Sequence, residues 1–200
     1  MGHPSDIAFS DTVKSEQERL GSRQIYAGLS EGGGWDTTIT PARAAFIEAR
    51  DSLYIATASA DGRPYIQHRG GPKGFLKILD DKTLGFADFR GNRQYISMGN
   101  LKENDRACMF LMDYPGRGRL KIWGRARVVE GDEELCAKVT DPEYGAKVER
   151  VFLFEVETMD GNCPQHIAPR FTVAEMGEDI AALKDRIKEL EAEIASCCPE

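Results

Sequence analysis

Apolar positions follow two different periods along this chain. Up to residue 50 they are scattered at helical spacings and interrupted by Gly32-Gly33-Gly34, so residues 6–50 read as broken helix. Thr40 followed by Pro41 is an N-cap with proline at the first helical position, and it predicts a helix through Arg50. From Ser52 the period shortens to two. Strands are expected over 53–59, 64–69, 75–79, 83–88, 106–112, 120–129 and 151–156, the first pair joined by the hairpin signal Asp61-Gly62. Short helices are expected over 92–101 and 130–139. Short strands at hairpin spacing with few long helices predict an antiparallel β-barrel decorated by helices. The last stretch changes again: Ile180, Leu183, Ile187, Leu190 and Ile194 recur at spacings of 3 and 4 among charged neighbours. That seam is short for a free coiled coil, so it is expected either to pack on its own barrel or to pair within a dimer.

Composition narrows the function classes. No apolar run approaches membrane-spanning length, and Met1-Gly2-His3-Pro4-Ser5-Asp6 opens no secretory signal, so a cytoplasmic protein without membrane partners is expected. The 5 cysteines show no C-x-x-C spacing, Cys197 and Cys198 are adjacent, and there are only 3 histidines. Neither a zinc site nor a disulfide framework is expected from that set. The net charge of −7 is unevenly spread: between Arg63 and Arg127 there are 14 Lys and Arg against 6 Asp and Glu, leaving 12 against 27 elsewhere. The centre of the chain is therefore positive by 8 and suits an anion, while the acidic remainder argues against a nucleic-acid polyanion.

Three motifs lie within that positive centre. Gln67-His68-Arg69-Gly70-Gly71-Pro72-Lys73 ends a strand with an arginine and two glycines that permit close approach of another group, or simply make a barrel-corner bulge. Phe86-Ala87-Asp88-Phe89-Arg90-Gly91-Asn92-Arg93-Gln94 leads from a strand towards a helix. Asn92 there is expected near the N-cap and Arg93 in the first turn, a geometry that attracts phosphate. In the third motif, Arg119, Lys121, Trp123, Arg125 and Arg127 fall on one strand face. Each motif also has an ordinary structural explanation.

Taken in order, Arg69-Gly70-Gly71, Gly91-Asn92-Arg93 and Arg119 leading into Ile122-Trp123-Gly124-Arg125-Ala126 resemble the pyridoxamine 5′-phosphate oxidase-like family of FMN-binding split barrels. The resemblance spans roughly residues 40–157. Asn162-Cys163-Pro164-Gln165-His166-Ile167-Ala168-Pro169-Arg170-Phe171 is similar to a signature of an uncharacterised bacterial branch of that family. It implies a six- to seven-stranded antiparallel split β-barrel over 41–157, with a helical extension over 1–40 and a C-terminal loop and helix over 158–200. It also implies a homodimer holding FMN between subunits and acting as an oxidoreductase on an unidentified small substrate, with NAD(P)H as a reductant. Residue by residue, Arg69, Gly70 and Gly71 would meet the flavin, and Ala87 and Asp88 occupy the place of a Tyr-Thr pair. Asn92 and Arg93 match a Ser-Arg phosphate grip, Gln94 replaces a lysine, and Arg119 stands where a glutamine often contacts the cofactor.

The oxidase's own C-terminal substrate-binding segment has no counterpart here, so oxidation of pyridoxamine phosphate itself is not expected. His68 and His166 are the candidate proton donors. The Cys163–Arg170 segment, stiffened by Pro164 and Pro169, is expected to lie over the cleft and bring His166 and Arg170 to the cofactor. The alternative on the same fold is a non-catalytic flavin or haem sensor or store, with His68 or His166 as the axial haem ligand.

Overall fold

The computed structural model describes residues 3–162 and 164–197. Helices α1 (Asp11–Arg19), α2 (Arg23–Glu31) and α3 (Pro41–Glu48) precede the sheet. The Thr40 hydroxyl accepts the N–H of Arg43 at 3.4 Å and caps α3, with Pro41 in its first turn, as the sequence predicts.

Seven strands follow: β1 (Ser52–Ala58), β2 (Pro64–Gly70), β3 (Lys77–Ile78), β4 (Thr83–Phe89), β5 (Arg106–Asp113), β6 (Gly118–Val129) and β7 (Val148–Asn162). They pair antiparallel in one sheet of order β2-β1-β5-β6-β7-β4-β3. Helices α4 (Ile96–Glu103), α5 (Glu133–Val139) and α6 (Gly177–Cys197) lie outside it. The fold is the expected split barrel, mainly β with peripheral helices. The split itself is visible in one interaction. β2 and β4 lie far apart in the ladder order, yet Arg69 of β2 forms an ion pair with Asp88 of β4, its guanidinium over the Phe152 ring of β7 at 4.8 Å. The sheet therefore curls until these strands meet through side chains, with no ladder joining β2 to β4 among the described residues.

Period-2 alternation buries Leu53 and Ile55, Met109 and Leu111, and Leu120 and Ile122 inside the curl. Phe86 stacks on Phe152 at 5.1 Å beside them. Each such side chain contributes about 1.5–3 kcal/mol by leaving water, which makes this core the main support of the site above it. One irregularity matters: Trp123 faces Thr158 while Gly124 faces Val156, so Glu157 is an extra residue on β7. A Cβ on Gly124 would lie 2.0 Å from the Glu155 carbonyl oxygen, so only glycine fits there.

Two elements differ from the sequence reading, and at a third one of its two alternatives drops out. The strand expected over 75–79 shrinks to Lys77–Ile78, because Phe75 donates its N–H to the Pro72 carbonyl at 2.9 Å and Phe75 and Leu76 are both buried in succession. β7 begins three residues before the expected 151 and continues to Asn162, carrying an isolated bridge from Met159 to Asp36 of the N-terminal segment. The C-terminal seam is helical as expected but is not packed on its own barrel: Leu183, Ile187 and Ile194 are 65%, 55% and 66% exposed.

Candidate functional site

The curl leaves a cleft of about 320 Å³ where the end of β2, the end of β4, the loop into α4 and the start of β7 converge. The sequence motif around Arg69 supplies Gln67, His68, Arg69 and Gly70. The second motif supplies Ala87, Asp88, Asn92, Arg93 and Gln94. Two motifs separated by a strand and a loop thus meet at one place, as the sequence reading expected.

Charge dominates this cleft. Its lining holds four arginines (Arg69, Arg90, Arg93 and Arg150) against two carboxylates, Asp88 and Glu149. The centre is a buried cluster. Asp88 bonds to Arg69 and lies 3.5 Å from Arg150, whose side chain is 8% exposed, and Arg150 also donates to Glu149 at 2.8 Å. Burial pushes the Asp88 carboxyl above the ordinary carboxylate range, and the Arg69 and Arg150 guanidiniums pull it back only in part. Both arginines stack on aromatic faces, Arg69 on Phe152 and Arg150 on Tyr95 at 5.0 Å. The Nε–H groups of Arg69 and Arg150 are buried without a hydrogen-bond partner: the Glu130 carboxylate is 3.4 Å from Arg150 Nε but not in bonding geometry. Two unmatched buried donors are costly to leave so, and they mark where an acceptor is wanted.

The loop that follows corrects the expected phosphate geometry. Asn92 is not an N-cap and Arg93 is not in a first helical turn, because α4 starts at Ile96 with Tyr95 as its N-cap. Asn92 Oδ1 instead accepts the Gln94 N–H at 3.3 Å, a local turn that competes with helix, and Arg93 and Tyr95 adopt left-handed backbone with φ of 61° and 57°. The turn presents Arg93 at the cleft mouth, where its Nε donates to Tyr95 Oη at 3.1 Å; this contact lowers the Tyr95 phenol below its ordinary pKa. Ser97, in the first turn of α4, donates to Gln67 Oε1 at 2.9 Å and ties α4 to β2.

Several expected residues lie elsewhere. Gly71 is adjacent to the cleft but serves packing: a Cβ there would meet Phe75 Cβ at 2.7 Å, and its N–H is spent on the Asp51 carbonyl at 2.9 Å. Arg119 sits on β6 opposite Met112, away from the chain's own cleft. Arg170 stacks on Tyr114, in the β5–β6 turn, at 4.6 Å, so its segment returns to that hairpin and does not cover the chain's own cleft. His166 is exposed with φ of 62°, and Cys163 lies outside the described residues. His68 does line the cleft, its ring edge-on to Tyr54 at 5.5 Å. Of the third motif, Lys121 pairs with Asp160 at 2.8 Å and Arg125 with Asp105 and Glu157, so those cations are matched by carboxylates.

Glu149 and Arg150 escaped the sequence reading, and Phe152 was expected in a strand but not at the site. Two adjacent charges, Glu149 and Arg150, precede the apolar run and hid the true start of β7, so Arg150 fell outside the expected strand. The only available signal was Val148, which begins the β-former pattern before them.

Fold and cleft together define an antiparallel split barrel with an arginine-lined cleft at its seam. Residues 39–166 match the sequence model of the family described as pyridoxamine 5′-phosphate oxidase, and the chain belongs to that family. Among solved structures it is similar to HupZ of Group A Streptococcus, at 21% identity and a TM-score of 0.50 over 66% of this chain and 99% of that one. An FMN-binding protein from Syntrophomonas wolfei matches at 13% identity and a TM-score of 0.44 over 76% and 96%. A protein from Clostridium acetobutylicum related to general stress protein 26 matches at 17% and 0.42 over 66% and 92%. No curated protein sequence matches the chain. No helix among the described residues is long and apolar enough to cross a membrane, and no group of three or more His, Cys, Asp or Glu among them could hold a metal ion.

Proposed function

We propose that this chain binds FMN with the phosphate held in the arginine cleft, and that a homodimer uses the bound flavin to transfer electrons to or from a small substrate. The observation that carries this reading is the cleft itself: four arginines against two lining carboxylates, with Glu130 a third beside Arg150, leave a net positive charge suited to a phosphate, beside the buried Arg69 Nε–H that has no hydrogen-bond partner. Family membership supports a flavin as the group that supplies the acceptors. The bound flavin would carry the hydride or electron chemistry. The chain's residues bind and orient: Arg90, 3.9 Å from Glu149, and Arg93, bonded to Tyr95, offer cations at the mouth, while Arg69 is fixed between Asp88 and Phe152 and so donates from a set position. Ala87 keeps the wall low beside Asp88, and His68 is the proton donor or acceptor nearest this cluster in sequence.

Arg119, His166 and Arg170 belong to this reading only through a second subunit, whose β5–β6 hairpin would complete the cleft. The experiment is to denature the purified protein, identify any released small molecule by mass spectrometry, and record the absorption spectrum of the native sample. Released FMN and a flavin spectrum bleached by NAD(P)H are expected. A Soret band with released haem, or no FMN binding by the folded protein when FMN is added in excess, overturns the reading.

A further inference from the structure

The exposed seam of α6 extends beyond the helix that carries it. Counting in sevens from Ile180 reaches Val173 upstream and Ile187 and Ile194 downstream. From Leu183 it reaches Met176 and Leu190. Val173 is 81% exposed and Met176 is exposed too, and along the run only Ile180 is partly covered. Thr172 and Glu175 form a capping box at its start: the Glu175 carboxylate accepts the Thr172 N–H at 2.8 Å, and the Thr172 hydroxyl accepts the Glu175 N–H at 3.2 Å. Within α6 the stripe runs from Ile180 to Ile194, two heptads and about 21 Å of helix, and residues 173–176 form the turns that lead into it. A single helix of this length gains little stability by itself.

We infer that α6 forms a parallel two-stranded coiled coil with α6 of a second copy of this chain. Three independent features select that occupant. The first is residue type: within α6 the a positions are Ile180, Ile187 and Ile194 and the d positions are Leu183 and Leu190. β-branched residues at a with leucine at d favour two parallel strands over higher assemblies. The second is charge. In a parallel pair the g residue of one helix meets the following e residue of the other. Asp179 then faces Lys184 of the second copy and Arg186 faces Glu191 of the second copy, both attractive in both directions. An antiparallel pair in the register that overlaps most of the helix would set Arg186 against Arg186 and Asp179 against Glu193 across copies, while a shorter, shifted antiparallel overlap would set Lys184 against Glu191. The third is that the stripe is uncovered by the chain's own barrel while the cations and anions beside it form only exposed contacts. Arg186, for example, bonds to Glu189 at 2.9 Å with both side chains more than half exposed, a contact weak enough to exchange.

The inference does not use the flavin, and its test runs without added FMN, so its failure leaves the flavin reading standing. Equal amounts of light and heavy-nitrogen protein are mixed, unfolded, refolded together and treated with a carbodiimide, which joins lysine to a neighbouring carboxylate. Expected is a mixed-isotope peptide joining Lys184 to Asp179. Only single-isotope products, a mixed product joining Lys184 to Glu191, or a product joining Lys184 to the barrel overturns the parallel pair. A substitution gives the second arm, because its sign differs between the two states. In a solitary helix Lys184→Glu replaces a Lys184–Lys188 repulsion with an attraction and strengthens the helix. In the parallel pair it confronts Asp179 and lowers the pairing equilibrium about tenfold, two reversed pairs per dimer. The readout is the melting of helical signal: α6 holds 21 residues against 9, 9, 8, 8 and 7 in the other helices, so its loss is separable. Expected is earlier, concentration-dependent melting for Lys184→Glu and recovery on adding Asp179→Lys. Unchanged or later melting for the single variant, or no recovery in the double, overturns the inference.

Discussion

Arg150 gives the sharpest test of the cleft, because no other side chain touches so many of its parts. It lies 3.5 Å from Asp88, donates to Glu149 at 2.8 Å, stacks on Tyr95 and keeps a buried Nε–H without a partner. The perturbation is Arg150→Met, which keeps length and volume and removes the charge. Asp88 retains Arg69, so no buried carboxylate is left without a cation. The expected loss of stability is therefore about 1–2 kcal/mol, below the 3–5 kcal/mol of a pair broken outright. Ligand binding should suffer more. A charge-assisted hydrogen bond to phosphate contributes about 1.5–3 kcal/mol, and removing it weakens FMN about 10- to 150-fold. The assay is a flavin-fluorescence titration of cofactor-free protein at fixed salt, with circular dichroism to show the variant folded. Arg150→Lys should recover part of the affinity, since the charge returns without the planar fork. An FMN affinity within twofold of the parent in the folded Met variant would refute the cleft as the phosphate site.

Other consequences follow from the same geometry. Because burial raises the Asp88 carboxyl, the native state holds that proton more tightly than the unfolded chain. Stability should then fall as pH rises from the ordinary 3.8 through the raised value, and urea unfolding of Asp88→Asn across that range should lack this slope. Asp88→Asn also leaves one more uncompensated cation in the cleft, so FMN should bind tighter, and a weaker titration would show that Asp88 fixes Arg69 more than it offsets it. Gly124→Ala must push a Cβ away from the Glu155 carbonyl and open the β6–β7 bulge, at about 2–4 kcal/mol in urea unfolding. If Arg119 serves the partner's cleft, refolding Arg93→Ala together with Arg119→Ala should restore about a quarter of the sites, in mixed dimers with one intact cleft. No recovery would place both residues in one chain's site.

The fold was legible where local chemistry and burial agreed. Thr40-Pro41 opened α3, Asp61-Gly62 turned β1 into β2, and the alternation from Leu120 to Ala126 set the inner face of β6. It failed where a side chain made a contact that no period encodes. Asn92 turns back to the Gln94 N–H, so α4 starts four residues later than the pattern suggested, and the expected helix-turn phosphate grip became a left-handed loop. The candidate site was half legible. Its β2 and β4 parts carry glycines and arginines in recognisable order, but its β7 wall is written as Glu149-Arg150, which reads as solvated surface until the curl buries it. Arg119, His166 and Arg170 were expected at the cofactor, and within the chain they stand off the cleft: Arg119 lies on β6 opposite Met112 and Arg170 stacks on Tyr114.

That division has a physical cause at the seam. Elsewhere the sheet is held by backbone ladders, whose geometry follows from alternation and turn length. Between β2 and β4 it is held by Arg69, Asp88, Arg150 and Phe152, a set of long side chains and one short carboxylate. In that joint the Arg69 Nε–H is buried without a hydrogen-bond partner, and Arg150 Nε has the Glu130 carboxylate at 3.4 Å outside bonding geometry. An anion bound there would accept from β2 and β7 together and join the strands that the ladder leaves apart. Closure of the barrel and occupation of the cleft are then one equilibrium, and a ligand held at a hundred times its dissociation constant would stabilise the fold by about 2.7 kcal/mol.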